Sequence, residues 1–148
     1  MARKQIDKRL SFLQNTDALS RPPRGWIRAI REALGMTSTQ FGKRLGVSQP
    51  TALGFEKSEA RKGITLETLE RAANALDCRL VYALVPKNSL ESLVEERALK
   101  LAKKRLQTTS HSMALEGQRV DEADEKEHLE RIVQKLSHQP GSVLWETE

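Results

Sequence analysis

The sequence predicts a mainly α-helical fold with one short β-strand and a C-terminal helical extension. Three observations carry that prediction. Apolar residues recur at spacings of three and four from Trp26 to Leu76, the helical period. One isolated run of β-forming residues follows, within Arg79–Val85, and Pro86 stops it. The composition is 38% hydrophobic and 4% aromatic over 148 residues, which suffices for a modest helical core and not for a large one.

Residues 1–20 read as a basic N-terminal arm with a short helix, in which Leu10, Phe12 and Leu13 offer docking points. Ser20-Arg-Pro-Pro-Arg-Gly25 breaks any helix, because proline blocks it and biases its predecessor towards extended shapes. A domain over residues 21–86 is expected to begin there. Trp26, Ile27, Ile30 and Leu34 give its first helix an inward stripe, with Gly35 as the stop. Thr37 or Ser38 caps a second helix, which turns Phe41 and Leu45 inward and ends at Gly46. Ser48 caps a third, running to Lys57, with Pro50 tolerated in its first turn. Thr65 caps a fourth, whose Leu66, Leu69, Ala72, Ala73 and Leu76 face inward. A lone strand at Arg79–Val85 has unpaired edges, so it is expected to pair across a dimer axis or with the N-terminal arm.

Residues 87–148 form the extension. Asn88 or Ser89 opens a helix from Leu90 to about Gln107, and Thr108-Thr-Ser110 is expected to interrupt it. The segment Ser112-Met-Ala-Leu-Glu-Gly117 follows. Asp121 caps a last, acidic helix with Leu129, Ile132, Val133 and Leu136 on one side. Pro140-Gly141 ends that helix, and Val143-Leu-Trp145 is free to dock on a partner or on the body.

The net charge of +5 conceals a gradient. Residues 1–63 hold 13 Lys/Arg against 5 Asp/Glu, and residues 108–148 hold 4 against 9. One end attracts polyanions and the other repels them, which suits two partners better than one. Cys78 is the single cysteine, so neither an internal disulfide nor a cysteine-built zinc site can form. The longest apolar run, Leu80 to Val85, is six residues where a membrane span needs about 20. No apolar stretch follows the basic N-terminus, so a soluble, cytoplasmic protein is expected. His111, His128 and His138 are too scattered for a metal site. Ser112 has no His/Asp pair, and no glycine-rich phosphate loop is present, so no enzyme, cofactor or catalytic residue is expected.

The spacing Phe41-Gly42-x2-Leu45-Gly46-Val47-Ser48-x6-Phe55-Glu56 describes two short helices about a tight turn. Together with Ile30-Arg31, Leu34-Gly35-Met36-Thr37 and Thr65-Leu66-x2-Leu69-x2-Ala72-x3-Leu76, it resembles the helix-turn-helix family of the phage-repressor and Xre type, with a lambda-repressor-like fold, over roughly Trp26–Leu84. The resemblance implies a recognition helix at Gln49–Lys57 that enters the major groove of an operator. Ser48, Gln49, Pro50, Thr51 and Gly54 would lie nearest the bases, and Gln49 can pair bidentately with adenine. Ser38, Thr39 and Lys43 look like phosphate contacts, and Lys57, Arg61 and Lys62 are further cations for the same role. Arg31 and Glu56 match the family's internal ion pair. Leu53 and Gly54 depart from its usual polar or basic residues, and Pro50 adds no donor, so DNA shape and phosphate contacts carry more of the affinity. The partner would be a double-stranded, palindromic operator bound by a homodimer joined through Arg79–Val85.

Ser112-Met-Ala-Leu-Glu116-Gly117 fits Ser/Thr-x3-Glu-Gly/Asn, and so resembles the inhibitory helix motif of antitoxins that restrain Fic-domain AMP-transferases. That resemblance implies that Glu116 reaches an arginine that should hold the γ-phosphate of ATP. A planar guanidinium fork accepts a carboxylate well, and the carboxylate repels the γ-phosphate. Ser112 and Glu116 share a helix face, and Gly117 can end the helix. Arg21-Pro-Pro-Arg-Gly-Trp-Ile-Arg-Ala-Ile-Arg-Glu-Ala-Leu-Gly-Met36, Ala75-Leu-Asp-Cys-Arg-Leu-Val-Tyr-Ala-Leu-Val-Pro86, Val94-Glu-Glu-Arg-Ala98 and Ser110-His-Ser-Met-Ala-Leu-Glu116 also resemble the mobile mystery protein A family, whose neighbouring gene encodes a Fic-domain protein. The expected function is therefore an antitoxin of a Fic-type toxin–antitoxin pair that represses its own operator. The alternative is a helix-turn-helix repressor whose tail serves dimerisation or effector sensing, with no toxin partner.

Overall fold

The computed structural model describes residues 2–115, 117 and 121–146. Among them are seven α-helices: α1 Ala2–Leu10, α2 Trp26–Ala33, α3 Ser38–Leu45, α4 Gln49–Ala60, α5 Leu66–Ala75, α6 Leu90–Leu115 and α7 Glu122–His138. Short 3-10 turns lie at Ser11–Leu13, Asp17–Leu19 and Gly141–Trp145. The chain divides into two compact units, Asn15–Leu84 and Met1–Gln14 with Val85–Glu148. No helix among the described residues is long and apolar enough to cross a membrane.

In the first unit α2 to α5 close over Ile27, Phe41, Ala52, Ala72 and Leu76. Thr37 caps α3 in a capping box: its hydroxyl accepts from the Gln40 amide, and the Gln40 side chain accepts from the Thr37 amide. Ser48 and Thr65 cap α4 and α5 with the hydroxyl alone, each accepting an amide three residues on. The inward stripe is narrower than the spacing predicts. Ile27 is buried, but Trp26 and Leu34 stay largely exposed, as does Leu66 at the start of α5. Trp26 and Leu66 open their helices and Leu34 caps the end of α2, so each stands where the packing surface runs out.

The expected strand is not formed. Arg79–Val85 has no regular structure, and no strand is present among the described residues. None of its backbone groups meets another strand, and a strand exists only as a pair. Val81, Tyr82 and Leu84 are at least 70% exposed, so the β-forming run carries unpaired backbone and uncovered apolar side chains together.

In the second unit α6 and α7 pack over Ala98, Ala102, Leu136 and Leu144. Leu129, Ile132 and Val133 join this core, as the periodicity of α7 predicts. The tail folds back onto its own unit, because Leu144 is buried and its carbonyl accepts from Arg97 at 2.6 Å. The break expected at Thr108-Thr-Ser110 does not occur, and α6 runs 26 residues through it. The hydroxyls of Thr108 and Thr109 donate to the carbonyls of Lys104 and Arg105, at 3.1 and 3.0 Å. These back-bonds four residues earlier satisfy the side chains within the helix. The N-terminus of α6 is capped by Ser89, which accepts from the Ser92 amide, and by Asp7 of α1, which accepts from the amides of Leu90 and Glu91 at 2.7 and 3.2 Å.

Candidate nucleic-acid interface

The turn between α3 and α4 depends on two glycines. Gly46 adopts φ 72° at the end of α3, a left-handed conformation that costs a side-chain-bearing residue more. Gly42 serves close approach instead. A Cβ there would stand 3.0 Å from the Val47 carbonyl oxygen and 3.3 Å from the Ser48 carbonyl. The turn folds directly over α3, and the Val47 amide donates to the Gly42 carbonyl at 2.9 Å.

That fold brings the start of α4 against the start of α3. The Gln49 side-chain amide donates to the Ser38 hydroxyl at 2.9 Å. One N–H and the carbonyl oxygen of Gln49 remain, which are the donor and the acceptor that an adenine edge requires. Ser48 meets the Thr51 hydroxyl at 2.8 Å and accepts from the Thr51 amide at 3.3 Å, which occupies both side chains in capping α4. Thr39, Lys43, Ser48, Gln49, Pro50, Thr51 and Lys57 are exposed, while Ser38 and Gly54 are half-buried. The nine residues thus lie along the outer sides of α3 and α4. A Cβ on Gly54 would meet nothing within 4 Å, so its missing side chain leaves a flat place on the helix rather than relieving a clash.

Helix α4 is held from below by charge. Arg31 donates from Nε to Glu56, from Nη2 to the same carboxylate at 3.3 Å, and from Nη1 to the Met36 carbonyl at 2.9 Å. Both side chains are nearly buried, at 11% and 6% exposure. The hydrogen bond to Glu56 raises the Arg31 pKa above its ordinary value, so the guanidinium stays charged. The pair expected from the sequence is therefore formed, and it fixes α4 on α2.

A second anchor was not foreseen from the sequence. Glu59 is 4% exposed, and its carboxylate accepts the amides of Trp26 and Ile27, both at 2.8 Å. These are the first free N–H groups of α2, whose preceding residue is Gly25 and has no side chain to offer. Arg21 completes the tie by donating to the Glu59 and Ala60 carbonyls, at 2.5 and 3.4 Å, where α4 ends. The proline-rich entry segment thus clamps the far end of α4.

Residues 27–82 match the model of the family described as helix-turn-helix. The chain carries a helix-turn-helix domain. The chain is also similar to "Antitoxin HigA1" from two Mycobacterium tuberculosis strains, CDC 1551 / Oshkosh and ATCC 25618 / H37Rv. In each case the identity is 44% over 56 residues, covering 38% of this chain and 36% of the relative. The chain spans about a third of the length of these curated relatives. No solved structure matches the chain.

The second predicted site falls at the end of α6. Ser112 is exposed in the last turn of that helix. Gly117 has φ 78°, the left-handed backbone that commonly follows a helix end. Glu116 lies outside the described residues.

Proposed function

We propose that this chain is a DNA-binding antitoxin: it represses its own operator through α4 and restrains a Fic-type AMP-transferase through the segment from Ser112 to Gly117. The DNA half rests on Gln49, anchored on Ser38 at the capped start of α4 with one donor and one acceptor turned to solvent. The antitoxin half is supported by likeness to proteins named as antitoxins, at 44% identity over 56 residues. The Fic partner is inferred from the sequence motif and from the resemblance to the mobile mystery protein A family. Gly117 at φ 78° suits a motif that ends a helix.

In this reading a homodimer formed through Arg79–Val85 sets two copies of α4 on the two halves of a palindrome. The unpaired backbone and exposed apolar side chains of that segment favour such pairing. Thr39, Lys43 and Lys57 hold phosphates, while Ser48, Pro50, Thr51 and Gly54 border the base edges. Glu116 occupies the position that the γ-phosphate of ATP would need, so bound ATP is held unproductively.

The deciding experiment co-expresses the chain with the product of the adjacent reading frame and follows AMP transfer from labelled ATP. The wild-type complex should be inactive, and Glu116→Gly should restore transfer while the complex still forms. An intact but inactive Glu116→Gly complex would defeat the blocking mechanism. Failure to find any complex would leave only the repressor.

A further inference from the structure

The face of α4 that carries Gln49 continues through Leu53 to Lys57, since residues four apart stack along a helix. Eight residues at a rise of ~1.5 Å advance about 12 Å, which is about the width of the B-DNA major groove. A helix with Gln49 at the base edges therefore carries Lys57 to the wall of the groove, where the phosphates run. At that end the protein is hollow. Leu53, Glu56, Lys57 and Ala60 line a cavity of about 230 Å³ together with Arg24 from the segment before α2 and Arg28 from its first turn. The same two arginines border an adjoining hollow of about 250 Å³ beside Gly25 and Glu32.

The acids nearby do not neutralise this cleft. Glu56 is engaged by Arg31. Glu32 pairs with Arg28 at 2.8 Å, but the pair is solvent-accessible and so is exchanged at little cost. Arg24 is exposed. Three cations thus converge on one concave surface at the end of the recognition helix, and two of them carry the planar fork that suits phosphate oxygens.

We infer that Arg24 and Arg28, with Lys57, form a cleft for a backbone phosphate of duplex DNA, extending the contact beyond the helix-turn-helix itself. The inference rests on the DNA-binding reading above. The cleft would hold the duplex in register and add affinity without reading sequence.

The test uses the full chain and two duplexes, one selected from a random library and one of random sequence, between 50 and 200 mM salt, as the range over which phosphate contacts change affinity steeply. Arg24→Gln and Arg28→Gln should lower affinity for both duplexes by the same factor, leaving their ratio unchanged. Loss of one phosphate contact should make the plot of log K against log salt shallower by about 0.9. Arg24→Lys, which keeps the charge, should keep the slope. Unchanged slopes in both glutamine variants would overturn the inference, and so would an equal loss in Arg24→Lys, which would assign the effect to folding. A wild-type chain that binds no duplex at all would instead defeat the DNA-binding reading.

Discussion

Replacement of Glu59 by alanine tests how α4 is held. The carboxylate is buried and accepts two backbone amides at 2.8 Å, at the N-terminus of α2. Truncation removes both acceptors, and no neighbouring side chain replaces them because Gly25 occupies the capping position. A buried donor left unsatisfied costs about 1–3 kcal/mol, and loss of an ordinary cap costs about 0.5–2 kcal/mol. The favourable placement of a negative charge at a helix N-terminus is lost as well. Water entering the vacated space recovers part of this, so the expected loss is about 3 kcal/mol. Each kcal/mol shifts the midpoint of a domain this size by about 4–8 °C, so the melting temperature should fall by at least about 12 °C. Thermal unfolding in a Trp145→Phe background leaves Trp26, adjacent to the lost bond, as the only tryptophan reporter. A shift below about 4 °C would refute the reasoning, because it would mean that water serves these amides as well as the carboxylate does.

Two further outcomes follow from the same geometry. Gln49→Ala should cost roughly 1–3 kcal/mol in binding to the correct operator and nothing on random DNA, measured by titration at fixed salt; equal losses on both would remove Gln49 from base reading. Val81→Pro should abolish self-association through Arg79–Val85, since proline removes a ladder donor, and an unchanged dimer by light scattering would discard that segment as the interface.

The helix-turn-helix was legible because its signals are local. Thr37 with Gln40, Ser48 with Thr51 and Thr65 with Thr68 are caps within one turn, and the structure forms all three. Gly42 and Gly46 mark a turn whose geometry demands them. The departures from the local signals are equally physical. Thr108 and Thr109 have low intrinsic helix preference, yet in α6 their hydroxyls bond back to the preceding turn. Arg79–Val85 has strand composition, but a single chain supplies it with no partner. Trp26, Leu34 and Leu66 fit the helical period while falling beyond the reach of the core.

Two of the contacts hidden from the sequence share one form. Two helices begin with amides satisfied by a carboxylate far away in the chain. Glu59 serves α2 across 32 or 33 positions, and Asp7 serves α6 across 83 or 84. No window of 15 residues can register such a bond, because neither partner looks unusual where it stands. The local sequence does carry the complementary sign at Gly25, which supplies no cap of its own. A Cβ there would lie 2.6 Å from the Glu59 carboxylate, and its φ of 90° disfavours a side chain as well. Gly25 is thus what lets the carboxylate in, and Arg21, four residues earlier, binds the backbone that carries it. The segment from Arg21 to Trp26 therefore acts as one device, in which an arginine, a glycine and a helix start are all shaped to the last turn of α4. In this arrangement the position of α4 is set from both sides of its inner face, by Arg31 on Glu56 and by the α2 amides on Glu59, and its outer face is left free for a ligand.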